Sequence, residues 1–175
     1  RVRGKHLFNP ANFGVIAALS FLPGTWVSAG QWGADFAVAA WLGLFGTVAA
    51  GRAGRADISW AFIAAFLGLL ALRVLWLGQI FGVWAHALQN GALILFTFFM
   101  ISDPKTSPDH RIARILHAVL VAGIAYALMF GPYLTNSFLW ALFVASPLVP
   151  LWDVLFSSEH YFWAGAPPAR RMEPV

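Results

Sequence analysis

Residues 57–77 read D-I-S-W-A-F-I-A-A-F-L-G-L-L-A-L-R-V-L-W-L, an apolar stretch with charge only at Asp57 and Arg73. About 20 apolar residues are needed to cross the hydrocarbon core of a bilayer as a helix. This stretch therefore predicts a transmembrane helix, and similar stretches fill most of the chain. The predicted spans are 7–22, 34–50, 57–77, 83–101, 112–131 and 137–156. We predict an all-α bundle of six transmembrane helices that forms a single domain over residues 1–175.

Composition supports the same class of protein. The 175 residues are 60% hydrophobic and 10% charged, with a mean hydropathy of +0.72, whereas soluble domains have about a quarter charged residues. This shortage excludes a soluble enzyme, a disordered tail and a nucleic-acid binder. The absence of Cys excludes disulfides, thiolate zinc sites and iron–sulfur clusters ligated by this chain. No transferable catalytic motif is present, so we do not expect catalysis by this chain alone.

The basic residues predict the orientation in the membrane. Of the 11 Lys and Arg residues, 10 lie before the first span, between the second and third, between the fourth and fifth or in the first turn of the fifth, or after the sixth. The opposite connections, near 22–33, 78–82 and 132–136, contain none. Because Lys and Arg collect in cytoplasmic loops, we expect both termini in the cytoplasm. The predicted location is the inner membrane of a bacterium.

Arg73 is the basic residue that does not fit this count, because it lies near the outer end of the third span. One interpretation is that its side chain extends to the interface past Trp76. The other is a membrane-embedded cation that faces an anionic group.

Polar residues mark the start of the first span, at Asn9-Pro10-Ala11-Asn12. Asn before a helix start can accept hydrogen bonds from free backbone N–H groups, and Pro is favoured in the first turn. The alternative is a polar lining at a helix entrance, which favours an anionic or electron-rich ligand.

The fourth span begins with polar residues, His86, Gln89 and Asn90, and His117 lies in the fifth span. Either histidine is a candidate ligand for haem iron or chlorophyll magnesium. The alternative is a hydrogen bond to a neighbouring helix.

Three aspartates lie near the predicted cytoplasmic ends of the spans. Asp103 ends the fourth span, where Pro104 prevents the helix from continuing. Asp109 is predicted to cap the fifth span or to supply an anion in its first turn. Asp153, near the end of the sixth span, is predicted to neutralise a cytoplasmic arginine, because an unpaired carboxylate there is costly.

Several motifs resemble the RnfD/NqrB family, the membrane subunits of the Rnf complex and of the sodium-translocating NADH:quinone oxidoreductase. Residues 4–11, G-K-H-L-F-N-P-A, contain the F-N-P-A of that family, and residues 98–104, F-F-M-I-S-D-P, resemble its F-F-x-A-T-D-P. Residues 114–116 and 147–153 match its R-L-I and C-V-P-L-I-D segments in order. Residues 55–58 lie where the family has a basic loop that leads into a helix.

The resemblance implies the later six of about ten helices, and a subunit that works beside flavins in an ion-translocating electron-transport complex. The family carries FMN on a threonine in a long extracytoplasmic segment after the first of these helices. Here that segment shrinks to residues 22–33, and Thr25 lacks the attachment context. We therefore expect a shortened member without covalent FMN.

Two functions remain open at this stage. The first is a redox subunit that holds a non-covalent flavin or quinone, or acts next to one, because proteins orient such cofactors through hydrogen bonds to the ring. Its candidate cofactor-binding residues are Asn9, Asn12, His86, Gln89, Asn90 and Asp103. The second is an accessory subunit of a respiratory or photosynthetic complex that has lost the cofactor. The expected partners are other membrane subunits, lipids, and quinone or pigments, but no nucleic acid.

Overall fold

The computed structural model describes residues 4–27, 36–87 and 91–158, and this part of the chain is helical without a β-strand. The helices are α1 (Pro10–Phe21), α2 (Phe36–Arg52), α3 (Ala56–Trp76), α4 (Phe81–Ala87), α5 (Gly91–Leu95), α6 (Arg111–Phe130), α7 (Ser137–Ala145) and α8 (Val149–Leu155). A π-helical turn, Phe96–Met100, continues α5, and a 3₁₀ turn, Ser146–Leu148, joins α7 to α8. The predicted helical class is confirmed.

Three helical segments are long and apolar enough to cross a membrane: Ala56–Trp76, Arg111–Phe130 and Ser137–Leu155. They correspond to the predicted third, fifth and sixth spans. The first predicted span contains an apolar helix of 12 residues, and the second contains the 17-residue α2. The described parts of the fourth are the end of α4, α5 and the π-helical turn, on either side of residues 88–90. The count of six spans therefore stays a prediction.

The core is built where α3, α6 and α7 pack together. Residues of α3 at intervals of four, from Ile58 to Leu70, are buried. Small residues of the other two helices are fully buried against them: Ala118, Ala122, Ala125, Ala141 and Ala145. Small side chains let helix backbones approach closely, which drives helix association in an apolar solvent.

Four phenylalanines fill the centre of this core. The ring of Phe138 from α7 lies 4.9 Å from Phe66, 5.5 Å from Phe96 and 6.0 Å from Phe62, measured between ring centres. Offset and edge-to-face aromatic pairs each add about 0.5–1.5 kcal/mol beyond burial. The rings therefore link α3, α7 and the π-helical turn.

The π-helical turn packs closely on α2 and α3. A Cβ atom added to Gly46 of α2 would lie 2.5 Å from the Cβ of Phe98, so only glycine fits there. The hydroxyl of Ser59 on α3 donates to the carbonyl of Thr97 at 2.8 Å. Side-chain hydroxyls of this kind satisfy backbone groups that irregular turns leave free inside a membrane protein.

Several described helices begin or end with charged residues at the same side of the structure. Asp57 at the start of α3 contacts Arg114 at the start of α6, so these two helices begin at the same end. Asp153, near the end of α8, forms an ion pair with Lys5, which precedes α1. This arrangement brings segments distant in sequence into one site.

Candidate functional site: a cluster of paired charges

Lys5, in the segment before α1, lies at the centre of a buried cluster of charges. Its Nζ is 2.7 Å from an oxygen of Asp153 and 2.9 Å from an oxygen of Asp109. It also donates to the carbonyl of Ser107 at 2.9 Å. The amide of His6 donates to the carbonyl of Lys105 at 3.1 Å, which holds the segment against the loop before α6. The three donors of the ammonium group are thus all used.

Arg55 reaches the cluster because of the turn between α2 and α3. Gly54 has a positive φ of 65°, and the amides of Gly54 and Arg55 donate to the carbonyls of Gly51 and Ala50. This is the Schellman pattern, in which glycine ends the helix without the penalty of a Cβ atom. The turn reverses the direction of the chain. The Arg55 guanidinium then contacts Asp109 at 3.2 Å and the carbonyl of Pro108 at 2.8 Å.

Burial, and then repulsion from the nearby Arg114 guanidinium, lower the pKa of Arg55 from its ordinary value. The carboxylate of Asp109 acts in the opposite direction through its charge and its hydrogen bond. A guanidinium is not deprotonated in proteins. Arg55 therefore stays charged, and its burial depends on Asp109.

Asp57 and Arg114 form a fork-like pair at the edge of the cluster. Arg114 Nε donates to both carboxylate oxygens of Asp57 at 2.9 Å, and Nη2 donates to one of them at 2.6 Å. Arg114 Nη1 also donates to the carbonyl of Asp109. Arg111 lies 4.0 Å from the same carboxylate, but its side chain is 77% exposed. The pair joins α3 to α6 through short charge-assisted bonds.

Asp109 and Asp153 complete the cluster. For each of them the partner in the structure differs from the predicted one. The residue that caps α6 is His110, whose Nδ1 accepts from the amide of Ile112; Asp109 instead binds Lys5 and Arg55. The described cation that binds Asp153 is Lys5 and not an arginine. The other Asp153 oxygen accepts from the amide of Asp109 at 2.9 Å. Within the described chain the cluster thus balances three cations with three carboxylates.

Three of the predicted cofactor-binding residues lie beside this cluster. Asn9 caps α1, with its Oδ1 accepting from the amide of Asn12 at 3.1 Å, as the capping interpretation predicts. The Nδ2 of Asn9 donates to Asp103 at 3.2 Å, and Asn12 Nδ2 donates to the carbonyl of Leu139 at 3.1 Å. Asp103 also accepts from the Thr106 hydroxyl at 3.1 Å. These side chains hold the start of α1 against α7 and the loop after the π-helical turn.

The other three predicted residues cannot be compared with this site. The backbone of His86 belongs to α4, but its side chain, Gln89 and Asn90 all lie outside the described residues. His117 is buried in α6, and its Nδ1 has no hydrogen-bond partner in the described structure. No group of three or more potential metal ligands occurs among the described residues.

Sequence reasoning missed most members of the cluster as a site. Lys5, Arg55 and Arg114 served as orientation signals and, with Asp57, as parts of the motifs that resemble the RnfD/NqrB family, but none of them was predicted to bind another charged residue. Their common signal is that each lies within a few residues of a predicted span end. That position says where a charge lies along the membrane normal, but not which charge it contacts.

Arg73 lies at the other end of α3, away from this cluster. Its guanidinium carbon is 4.1 Å from the centre of the Phe130 ring. No carboxylate among the described residues forms an ion pair with it. The structure thus gives Arg73 an aromatic partner, Phe130. It does not decide between the two predictions, an arginine that extends to the interface and a cation that faces an anionic group.

Comparison of the chain with models of known protein families and with curated proteins finds no match to either. What the described structure defines is a helical protein with three segments long and apolar enough to cross a membrane, consistent with a membrane protein. Its distinguishing site is the cluster of paired charges at one end of these helices.

Proposed function

We propose that this protein is an RnfD/NqrB-like integral membrane subunit of a multisubunit electron-transport complex, which holds a non-covalent flavin or quinone or lies next to one. The proposal rests on one observation. Every segment that resembles the family contributes a residue to the cluster of paired charges or to the contacts beside it. The contributing residues are Lys5, Asn9, Arg55, Asp57, Asp103, Arg114 and Asp153. Segments that serve one function are expected to meet in space in this way.

The proposed topology has six spans with both termini in the cytoplasm of a bacterium. Support comes from the described helix ends. The start of α1, the end of α2, the starts of α3 and α6, and the end of α8 all lie at the cluster. These are the connections that carry the basic residues, so packing and the positive-inside rule agree. The common starting end of α3 and α6 supports the proposal, because a fourth span between them would bring the chain back to that end.

The second candidate function is an accessory subunit without a cofactor, and one observation favours it. The amide of Asn9 and the carboxylate of Asp103 are hydrogen-bonded to each other and to neighbouring protein groups. Polar groups that are already satisfied gain little from a new ligand, because that ligand must first displace their partners. In a redox subunit, these residues would therefore position α1 beside a cofactor rather than surround it.

The first experiment is an absorption and fluorescence spectrum of the complex purified in detergent from native membranes, repeated on the acid-precipitated polypeptide. The redox proposal expects flavin or quinone in the complex and none on the precipitated chain. Flavin that stays on the chain would overturn the non-covalent assignment, and Thr25→Ala would then show whether Thr25 carries it. A complex with no flavin, quinone or pigment would leave only the accessory function.

The candidate residues are tested in the same complex. Gln89→Leu and Asn90→Leu are expected to lower the cofactor content if these side chains bind the ring. Asn136→Leu is the matched control, since the Asn136 side chain makes no capping hydrogen bond at the start of α7. Equal cofactor content in all three variants would remove Gln89 and Asn90 from the site. Loss of a haem or chlorophyll spectrum in His86→Ala or His117→Ala would instead assign a ligand role to that histidine.

A further inference from the structure

The end of α3 opposite the charged cluster carries a cation in an apolar setting. Arg73 follows Asp57 by 16 residues on one helix, a rise of about 24 Å. The hydrocarbon core of a bilayer is about 30 Å thick. If Asp57 lies at one interface, Arg73 lies close to the other, and the neighbouring Trp76 side chain is exposed there as in an aromatic belt.

Arg73 lines two adjoining cavities. The first, about 230 Å³, is the aromatic cavity, and its lining includes Phe66, Trp84, Phe130, Phe138 and Gln79. The second, about 380 Å³, is the lateral groove, lined by Leu69, Leu72, Arg73, Trp76, Leu77 and Tyr126. Leu72, Trp76 and Leu77 are exposed, so the groove opens on the outer face of α3. Neither cavity has an acidic residue among its described lining.

The Arg73 guanidinium at this place has N–H donors that the described protein leaves available. Contact with the face of Phe130 uses none of the five N–H donors of the Arg73 guanidinium, and no described acceptor contacts them. Gly78, with a φ of 62°, ends α3 in a Schellman turn in which the Gln79 amide donates to the carbonyl of Val74. This turn brings Gln79 to the same cavity as Arg73.

We infer that Arg73 binds the phosphate head group of an acidic phospholipid, with an acyl chain of that lipid in the lateral groove. A guanidinium matches phosphate with paired hydrogen bonds, and a cation close to the interface is stabilised by a counter-charge beside it. The apolar groove beside it favours a lipid over a soluble phosphate. The absence of a described carboxylate in the lining favours an acidic head group over a zwitterionic one, whose cation would find no partner.

This inference does not depend on the proposed redox function, and its test uses the whole chain without partner subunits. The chain is purified in detergent, delipidated, and titrated with phosphatidylglycerol or phosphatidylcholine, and bound lipid is counted by native mass spectrometry. We expect phosphatidylglycerol to bind about tenfold more tightly, because both lipids offer a phosphate but the choline cation finds no carboxylate in the described lining. Arg73→Gln is expected to abolish this preference.

Arg52→Gln is the control for general attraction to a basic protein, because Arg52 is exposed at the other end of the structure. It should keep the preference for phosphatidylglycerol. A preference that survives Arg73→Gln and disappears in Arg52→Gln would overturn the proposal. Displacement of the lipid by excess glycerol phosphate would assign the site to a soluble phosphate, and would overturn the lipid assignment.

A second pair of variants tests the groove without touching the core. Leu72 and Leu75 are 65% and 77% exposed on α3, but only Leu72 lines the lateral groove. Leu72→Trp is expected to weaken phosphatidylglycerol binding about tenfold by filling the groove, and Leu75→Trp to leave it unchanged. Equal binding by both variants would show that no acyl chain occupies the groove.

Discussion

Arg114 and Arg111 offer a comparison of two arginines at one carboxylate. The Arg114 side chain is 12% exposed and binds both oxygens of Asp57, whereas Arg111 lies 4.0 Å away and is largely exposed. Arg114→Lys should lower the free energy of unfolding by about 2 kcal/mol, because an ammonium cannot reproduce the guanidinium fork. Arg111→Lys should change it by less than about 0.5 kcal/mol. Unfolding by SDS in mixed micelles, followed by circular dichroism, measures both; equal losses would contradict the fork.

Lys5 neutralises two carboxylates that are themselves nearly buried. Lys5→Met should destabilise the protein by about 3 kcal/mol or more, because it removes the described cation that binds Asp153 and one of the two described cations that bind Asp109. Lys105→Met is the control, since the Lys105 side chain forms no ion pair among the described residues. Adding Asp153→Asn to Lys5→Met should recover part of the loss in the same unfolding measurement. A double variant as unstable as the sum of the two single variants would show that the two groups are not coupled.

For individual residues, the sequence predicted contacts between neighbours in the chain but not ion pairs between residues far apart in the chain. The Asn9 cap and the helical start at Pro10 follow from residues that are neighbours in the chain. The ion pair of Lys5 with Asp153 joins residues 148 positions apart. Charge signs identify possible partners, but only packing of α1, α6 and α8 selects among them, which is why the predicted arginine partner of Asp153 was wrong.

At the scale of helices, the packing of α2 on the π-helical turn depends on one glycine. Gly46→Ala should destabilise the protein by about 1–3 kcal/mol, because its Cβ would overlap Phe98. Phe98 cannot easily move away, since it is buried and its ring packs on Trp60 at 5.8 Å.

Gly43→Ala is the matched control on the same helix, because a Cβ there would meet no atom within 4 Å. It should be neutral or stabilising, as alanine favours a helix over glycine by about 1 kcal/mol. Thermal unfolding in detergent compares the two variants. Similar midpoints for both would mean that α2 does not approach the π-helical turn as closely as described.

Helix prediction succeeded where the apolar stretch is continuous. The predicted spans 57–77, 112–131 and 137–156 agree closely with Ala56–Trp76, Arg111–Phe130 and Ser137–Leu155. The described parts of the predicted span 83–101 are the end of α4, α5 and a π-helical turn, and residues 88–90 lie outside the described residues, so this span stays a prediction. Hydropathy reports how apolar a segment is, but the π-helical turn depends on contacts with Gly46 and Ser59 of other helices.

At the scale of the whole molecule, six spans can be tested by labelling because the chain has no native cysteine. Arg52 and Thr135 are exposed, and three proposed spans separate them. Arg52→Cys should react with a membrane-impermeant maleimide only from the cytoplasmic side, and Thr135→Cys only from the opposite side. Labelling is compared in intact cells and in inverted membrane vesicles.

Lys105→Cys provides the internal control for the fourth span. It should react from the same side as Arg52→Cys, because Lys105 belongs to the loop that contacts the segment around Lys5. Reaction of Arg52→Cys and Thr135→Cys from one side would contradict six spans. It would mean that an even number of crossings separates them.

The sequence by itself determined that this chain is helical, that three of its segments are long and apolar enough to span a membrane, and where the cap of α1 lies. These properties depend on composition and on residues within a few positions of one another. Only the tertiary structure decided that Lys5, Arg55, Asp57, Asp109, Arg114 and Asp153 form one balanced cluster, and that Arg73 lines two cavities at the other end of α3. The physical reason is that a buried charge is stabilised by whichever group packing places beside it, and packing joins residues that the sequence separates.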